Sequence, residues 1–340
     1  MKIAAAVHRK TPSMMTVESI PGTSVRSRIL SALIRAFVRP VLVAFGRWPA
    51  LPWPYRLVDI AGLLLPALRG TTREWIELPD CRAELITGPG AQPHGKVILY
   101  LHGGGFITCG LRTHRRLVSR LSANAHVPAL SVDYRMLPKS PISAAVDDAL
   151  AAHAWLVEQG YSPANIVLAG DSAGGYLALA TALALAERGF GKPAGVLCFS
   201  PVVDLFLARS ESPDRRSRDP LFPLGAIEAV ADIAAAAQAL TMVAGGGVAT
   251  KDILGADLST LPTVLIQTGS DELLAADSHA LADKLAISGV PGRLELWAGQ
   301  FHVFHAGADF VPEGKAALRR SGHFIRSLPF ASQDREAESA

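Results

Sequence analysis

The stretch IVLAGDSAGG, residues 166–175, decides how the rest of the chain is read. Ile166, Val167, Leu168 and Ala169 are apolar without alternation, which suits a strand buried on both faces of a sheet. The chain then turns through Gly170-Asp171-Ser172-Ala173-Gly174, and an Ala/Leu-rich helical run follows over 173–188. A serine held between glycines on a strand-to-helix turn takes up a strained backbone conformation and presents its hydroxyl above the sheet edge. Gly170 and Gly174 are needed because a Cβ at either position would meet neighbouring backbone. The helix N-terminus beside Ser172 favours negative charge developing on a bound oxygen. The five-residue pattern alone is common. Its position between a strand and a helix gives it meaning and makes Ser172 the candidate nucleophile.

Outward from this point the same alternation repeats. Eight segments read as strands, at 75–78, 83–87, 96–101, 127–133, 165–169, 194–199, 263–268 and 292–297. Helical periodicity fills the intervals at 112–125, 143–159, 173–188 and 275–288, and again at 314–327. The expected fold class is α/β, an eight-stranded, mostly parallel sheet with helices on both faces. Two segments depart from it. Residues 1–70 carry an apolar stripe at helical spacing, Ile29, Leu30, Leu33, Ile34, Phe37, Val38 and Val41, ended by the proline-broken run RWPALPWP at 47–54. Residues 204–255 interrupt the alternation with a charged piece at 209–223, an Ala-rich helix at 224–240 and glycines at 245–247. Together they are expected to form a helical cap over the C-terminal edge of the sheet. The catalytic unit then comprises 71–203 and 256–330, with a flexible tail at 331–340.

Two further loops lie at strand ends. After the third strand comes His102-Gly103-Gly104-Gly105-Phe106. Consecutive glycines let backbone N–H groups converge on one point, as a tetrahedral oxyanion requires, and the N–H of Ala173, next after the nucleophile, completes such a set. His102 is expected to hold the loop. A serine hydroxyl also needs a base, and the base a carboxylate to orient it. The seventh strand ends in Gly269-Ser270-Asp271-Glu272-Leu273-Leu274, and the eighth in Gly299-Gln300-Phe301-His302-Val303-Phe304-His305. Asp271, the first acid after its strand, is the expected acid, with Glu272 and Asp277 assigned to helix or solvent. His302 is preferred as base over His305 one helical turn on, and over His279 and His323.

These motifs resemble the hormone-sensitive-lipase family of esterases, the bacterial family IV carboxylesterases. The resemblance runs from Lys96 to Phe304 and rests on HGGGF at 102–106, DYR at 133–135, GDSAGG at 170–175, GSDELL at 269–274 and GQFHVF at 299–304. It implies an α/β-hydrolase fold and a Ser172, Asp271, His302 triad. It also implies oxyanion donors at Gly103, Gly104 and Ala173, with His102, Gly105 and Asp171 as supporting loop residues. The implied reaction is cofactor-free hydrolysis of small, short- to medium-chain acyl esters through an acyl-enzyme. Amide or formamide hydrolysis by the same triad is the alternative reading. A non-catalytic receptor is disfavoured because the base, the acid and the glycines are all present. One departure stands at 134–145, YRMLPKSPISAA, where Lys139 and Ile142 replace the family's usual glutamate and phenylalanine and put local contacts in doubt.

Composition excludes other classes. A net charge of +3 over 340 residues leaves no basic field to hold nucleic acid. Cys81, Cys109 and Cys198 are odd in number and widely spaced, which argues for free thiols, a reducing compartment and no structural metal site. The N-terminus lacks the apolar core of a secretory signal, so a cytoplasmic location is expected, peripheral to a membrane at most. Arg35 and Arg39 argue against a span over 29–45. Arginines beside that apolar stripe suggest weak association with a lipid surface, although packing as a cap is favoured. The resemblance suggests a homodimer built through the last strand and helix.

Overall fold

The computed structural model describes residues 14–93, 95–204, 219–243 and 250–331. The charged piece up to residue 218, the glycines at 245–247 and the expected tail beyond Ala331 lie outside the described residues. The strands are β1 Thr16–Ile20, β2 Thr72–Glu77, β3 Arg82–Thr87, β4 Val97–Leu101, β5 Ala129–Asp133, β6 Ile166–Asp171, β7 Gly195–Phe199, β8 Val264–Gly269 and β9 Gly292–Trp297. The helices are α1 Val25–Leu33, α2 Arg39–Arg47, α3 Tyr55–Ala61, α4 Leu111–Ala125, α5 Ile142–Glu158, α6 Ala173–Glu187, α7 Leu224–Val243, α8 Ala275–Ile287 and α9 Pro312–Ser327.

All eight expected strands form, and one more joins them. The sheet runs β1-β9-β8-β7-β6-β4-β5-β3-β2, antiparallel only where β3 meets β2 and β5. Each residue of β4, β6, β7 and β8 is buried, because helices cover both faces there. Since these strands and β9 are parallel, the loops that follow them all emerge on one edge. That edge collects the HGGGF turn, Ser172, Ser200, the 270–274 loop and the 298–305 loop.

The ninth strand, β1, is the difference from the sequence reading. Thr16–Ile20 pairs in parallel with Arg293–Trp297 of β9. It is too short, and too polar at Thr16, Glu18 and Ser19, to stand out from a segment otherwise read as helical. Arg320 of α9 binds Glu295 at 2.9 Å and Glu18 on the same face, which fixes this register. With β1 alongside it, β9 is not an edge strand, so a homodimer built on the last strand would have to displace β1.

The N-terminal helix runs continuously from Val25 to Arg47 with a π-helical turn at Ile34–Val38. Pro40 accounts for the turn, because it lacks an N–H and its ring crowds the carbonyl four residues earlier. The expected apolar stripe divides. Leu30 and Ile34 pack inward against a cluster containing Trp297, Phe301 and Phe304, whereas Ile29, Leu33, Phe37, Val38 and Val41 stay exposed. At its far end the helix packs on α7. A Cβ on Gly46 would lie 2.6 Å from the carbonyl carbon of Gly225, so the two backbones are in direct contact.

The unusual 134–145 segment keeps its anchors. Arg135 donates to Asp148 from its backbone N–H at 2.7 Å and from its guanidinium at 2.9 Å. Ile142 is buried at the start of α5, and Lys139 is exposed.

Helix α9 lies tightly on α4. A Cβ at Gly322 would fall 2.4 Å from the carbonyl oxygen of Asn124. Gly322→Val should lower the denaturation midpoint by the equivalent of about 1–3 kcal/mol, read by urea unfolding. An unchanged midpoint would show that the two helices are not held this close.

Candidate active site

Strand β6 delivers Ser172 as expected. Its φ of 51° and ψ of −119° lie in a region that side chains avoid. The surroundings enforce it: Ser172 N–H donates to Phe199 O at 2.8 Å, and Ser172 O accepts from Val202 N–H at 3.1 Å. Close approach of α6 to β4 makes the flanking glycines obligatory. A Cβ on Gly174 would lie 1.9 Å from Leu101 O, and one on Gly170 would lie 2.2 Å from Gly174 O.

The structure corrects the acid. The Nδ1 of His302 lies 2.6 Å from an Oε2 of Glu272, not from Asp271. The second oxygen of Glu272 accepts from Ser200 Oγ at 2.8 Å, from Gly269 N–H at 2.6 Å and from the Thr268 hydroxyl. Asp271 instead accepts from its neighbour Ser270 Oγ at 2.9 Å and lines a cavity with Arg28 and Arg35 of the N-terminal helix. The physical reason is the turn after β8. Leu273 and Leu274 must be buried, and this rotates Glu272 inward and leaves Asp271 on the outer side. The apolar pair after Glu272, against the turn-forming Ser270 before Asp271, was the available signal. Asp277 is likewise buried and accepts from Val203 N–H at 3.3 Å.

His302 is brought to this edge, on the loop after β9. It is buried, and its Nε2 has no hydrogen-bond partner among the described residues. Burial by itself lowers the His302 pKa. The hydrogen bond and charge of Glu272 outweigh that, Asp219 and Asp171 act in the same direction, and the result lies above the usual histidine value. His305 is excluded by its surroundings. It stacks on Phe199 with centroids 4.2 Å apart, its Nε2 meets Gln267 Oε1 at 3.1 Å, and burial pushes its pKa down to about 3. His279 is half-buried on α8 and His323 exposed on α9.

The glycine loop also differs from expectation in one residue. Gly103 N–H donates to Asp171 Oδ1 at 3.0 Å, so it is not free for a ligand. None of the described residues accepts from the N–H groups of Gly104 or Gly105. Their φ values of 120° and 63° favour glycine, and a Cβ on Gly104 would lie 2.0 Å from Thr108 O. Ala173 is the first residue of α6, so its N–H has no intrahelical acceptor. The free donors are thus Gly104, Gly105 and Ala173.

Asp171 is the support of this loop. Besides Gly103 it accepts from Tyr100 Oη at 2.7 Å, and its Oδ2 lies 3.2 Å from His114 Nε2. Burial would raise its pKa, but the charge and hydrogen bond of His114 and the Tyr100 hydroxyl lower it to about 2. His102 has a structural position. It stacks on Tyr134 with centroids 4.3 Å apart, and its Nδ1 lies 2.7 Å from Gly103 O.

Sequence reasoning did not find Ser200, His114, Tyr100 or Asp219. Ser200 links the 270–274 and 298–305 loops: its Oγ donates to Glu272 and accepts from Val303 N–H at 3.2 Å. Asp219, within the inserted segment, is buried. It accepts from Leu273 N–H at 2.8 Å, Leu221 N–H at 2.7 Å and Phe222 N–H at 3.1 Å. Phe222 sets its ring edge-on to His302, 4.8 Å between centroids. The insertion is thereby tied to the acid loop and walls the base. Among the described residues, no cluster of His, Cys, Asp and Glu is arranged to hold a metal.

Comparison with known proteins agrees with this fold. The family described as alpha/beta hydrolase fold matches residues 98–306. The chain is 39% identical over 308 residues to a Mycobacterium tuberculosis protein named carboxylesterase/phospholipase LipF, covering 90% of this chain and 82% of that one. It is 40% identical to esterase LipU of the same organism, covering 85% and 98%. Among solved structures, an esterase from the bacterial hormone-sensitive lipase family superposes with a TM-score of 0.76 at 33% identity, covering 91% and 99%. EstE5, solved after soaking in p-nitrophenyl butyrate, gives the same TM-score and identity over 89% and 98%.

The electrostatic assignments predict an ordering measurable by NMR titration of His302. Glu272→Gln and Asp219→Asn each remove a negative charge that raises its pKa, so both should lower it, Glu272→Gln by more. Asp271→Asn should leave it in place. A larger drop in Asp271→Asn than in Glu272→Gln would reverse the assignment of the acid.

Proposed function

Because the chain belongs to the alpha/beta hydrolase fold family, in its bacterial hormone-sensitive-lipase branch, we propose that it is a carboxylesterase working through Ser172, His302 and Glu272. The observation that carries this reading is the state of His302. One ring nitrogen is held by a buried carboxylate, and the other is buried and, among the described residues, unpartnered at the edge where Ser172 stands. That is the arrangement a general base needs before it takes a proton.

In the proposed reaction Ser172 Oγ attacks the ester carbonyl carbon as His302 Nε2 takes its proton. The carbonyl oxygen becomes an oxyanion, stabilised by the N–H groups of Gly104, Gly105 and Ala173 and by the positive end of α6. The C–O bond to the alcohol then breaks, and His302 returns the proton to the departing oxygen. Water attacks the acyl-enzyme by the same route and frees the acid and Ser172. Glu272 holds the imidazole with Nδ1 protonated and stabilises the imidazolium without taking the proton.

The substrate class is a small ester with a short- to medium-chain acyl group. Names of relatives support ester over amide chemistry, and a further relative from Streptomyces hygroscopicus is named acetyl-hydrolase. The cap supports a bounded pocket, since Val230 of α7 stands over the loop at Gly105.

Three measurements test this reading with p-nitrophenyl esters of increasing acyl length. Ser172→Ala should abolish turnover. Glu272→Gln should lower kcat about 10³- to 10⁴-fold, whereas Asp271→Asn should stay within about threefold of the parent enzyme. Activity needs neutral His302. With its pKa raised, kcat/KM should fall on acidification with a midpoint above the ordinary value of about 6.5, and in Glu272→Gln the residual activity should persist to lower pH. Full turnover by Ser172→Ala would overturn the proposal.

A further inference from the structure

The N-terminal helix carries apolar residues on two sides, and only one side is covered. Its inner side is fixed to the catalytic domain. Ser27 Oγ donates to Gln300 Oε1 at 2.8 Å, Ser24 Oγ to Glu313 at 3.0 Å and Thr23 Oγ1 to Ala298 O at 2.7 Å. Leu30, Ile34, Leu42 and Phe45 pack beneath it. Its outer side presents Val25, Ile29, Leu33, Phe37 and Val41, spaced four apart and therefore in one row. All five are exposed, Phe37 at 71% and Val25 at 62%. The ring of Phe45, on α2, lies 5.8 Å from Trp53; α3 then adds the exposed Leu57, and the 3-10 turn Gly62–Leu64 after it adds the exposed Leu63 and Leu64.

Along the helix itself the charge has one sign, while Asp271 shares a cavity with Arg28 and Arg35 and Asp59 of α3 is paired with Arg112. Between Pro21 and Val58 the sequence has Arg26, Arg28, Arg35, Arg39, Arg47 and Arg56 and no acidic residue, although the whole chain is nearly neutral. An exposed apolar row on a helix whose charged residues are all arginines matches the surface of an anionic lipid layer, which offers acyl chains below and phosphates at the headgroup level. A membrane-spanning role fits less well. Polar bonds to the 298–313 region hold one half of the helix and α7 holds the other, so neither end is free to cross a bilayer.

We propose that the outer face of Val25–Arg47, with α3 beside it, is a docking surface for an anionic lipid interface. Bound this way, the enzyme lies with its cap against the lipid. The same helix holds Gln300, two residues before His302, so docking places the mouth of the site near ester groups at that surface. This surface is independent of the catalytic assignment, because the exposed row supplies no group to the reaction proposed above.

Co-sedimentation of the full chain with vesicles tests it, using Ser172→Ala protein so that lipid esters stay intact. Binding should be strong to phosphatidylcholine vesicles containing phosphatidylglycerol, weak to phosphatidylcholine alone, and reduced by high salt. Leu33→Ser/Phe37→Ser should reduce binding at least about tenfold, and Arg26→Gln/Arg47→Gln should weaken it only on anionic vesicles. In otherwise parental enzyme, both pairs should hydrolyse water-soluble p-nitrophenyl acetate at the parental rate. Undiminished binding by Leu33→Ser/Phe37→Ser would overturn the proposal. So would the absence of vesicle binding together with a dimer that those substitutions break, which would assign the face to a second copy. Equal binding to neutral and anionic vesicles that resists salt would point to a span instead.

Discussion

The pairing of Glu272 with His302 is the contact around which the sheet edge is arranged. A carboxylate buried this deeply is costly unless every oxygen finds a donor. Here one oxygen meets His302, and the other is shared by Ser200, Thr268 and Gly269. Those partners come from the ends of β7, β8 and the loop after β9. Satisfying one buried charge therefore joins three strand ends and fixes the distance between acid loop and base loop. Ser200 has a φ of 46°, a strained value that is understandable if its hydroxyl must reach both Glu272 and Val303.

A second buried carboxylate, Asp171, plays the matching part on the other side of Ser172. It draws in Gly103 N–H, Tyr100 and His114, and so shapes the glycine loop without contributing to it. Using up the Gly103 donor is what leaves the next two N–H groups free. The two networks flank Ser172, one holding His302, the proposed base, and the other the loop of the proposed oxyanion donors. Each is closed by residues from several strands, which gives the site rigidity before any ligand arrives.

The cap bears on the site from both directions. Asp219 clasps the backbone beside Glu272, and Phe222 shields His302. On the opposite side the N-terminal helix holds the loop that carries His302 through Ser27 and Gln300. The parts of the chain least like a parallel α/β sheet thus border the site, while leaving an apolar face of the helix outward.

Much of this was legible in the sequence, for a physical reason. Strand, turn and helix at 166–188 follow from local rules, and a continuous apolar run can only be buried. Eight strands, Ser172, Ala173, Gly104 and His302 are read from features within a few residues of each other. What the sequence could not resolve depends on which way a side chain faces once distant segments meet. Asp271 and Glu272 are adjacent acids after the same strand, and the burial of Leu273 and Leu274 chose between them. Gly103, Gly104 and Gly105 are identical in sequence, and a bond to Asp171 separated them. The five residues of β1 carry too weak a pattern to declare a strand until β9 is beside them. Local sequence determined which groups the site contains, and tertiary packing alone decided which of them face one another, because orientation is a property of the assembled interior and not of any one segment.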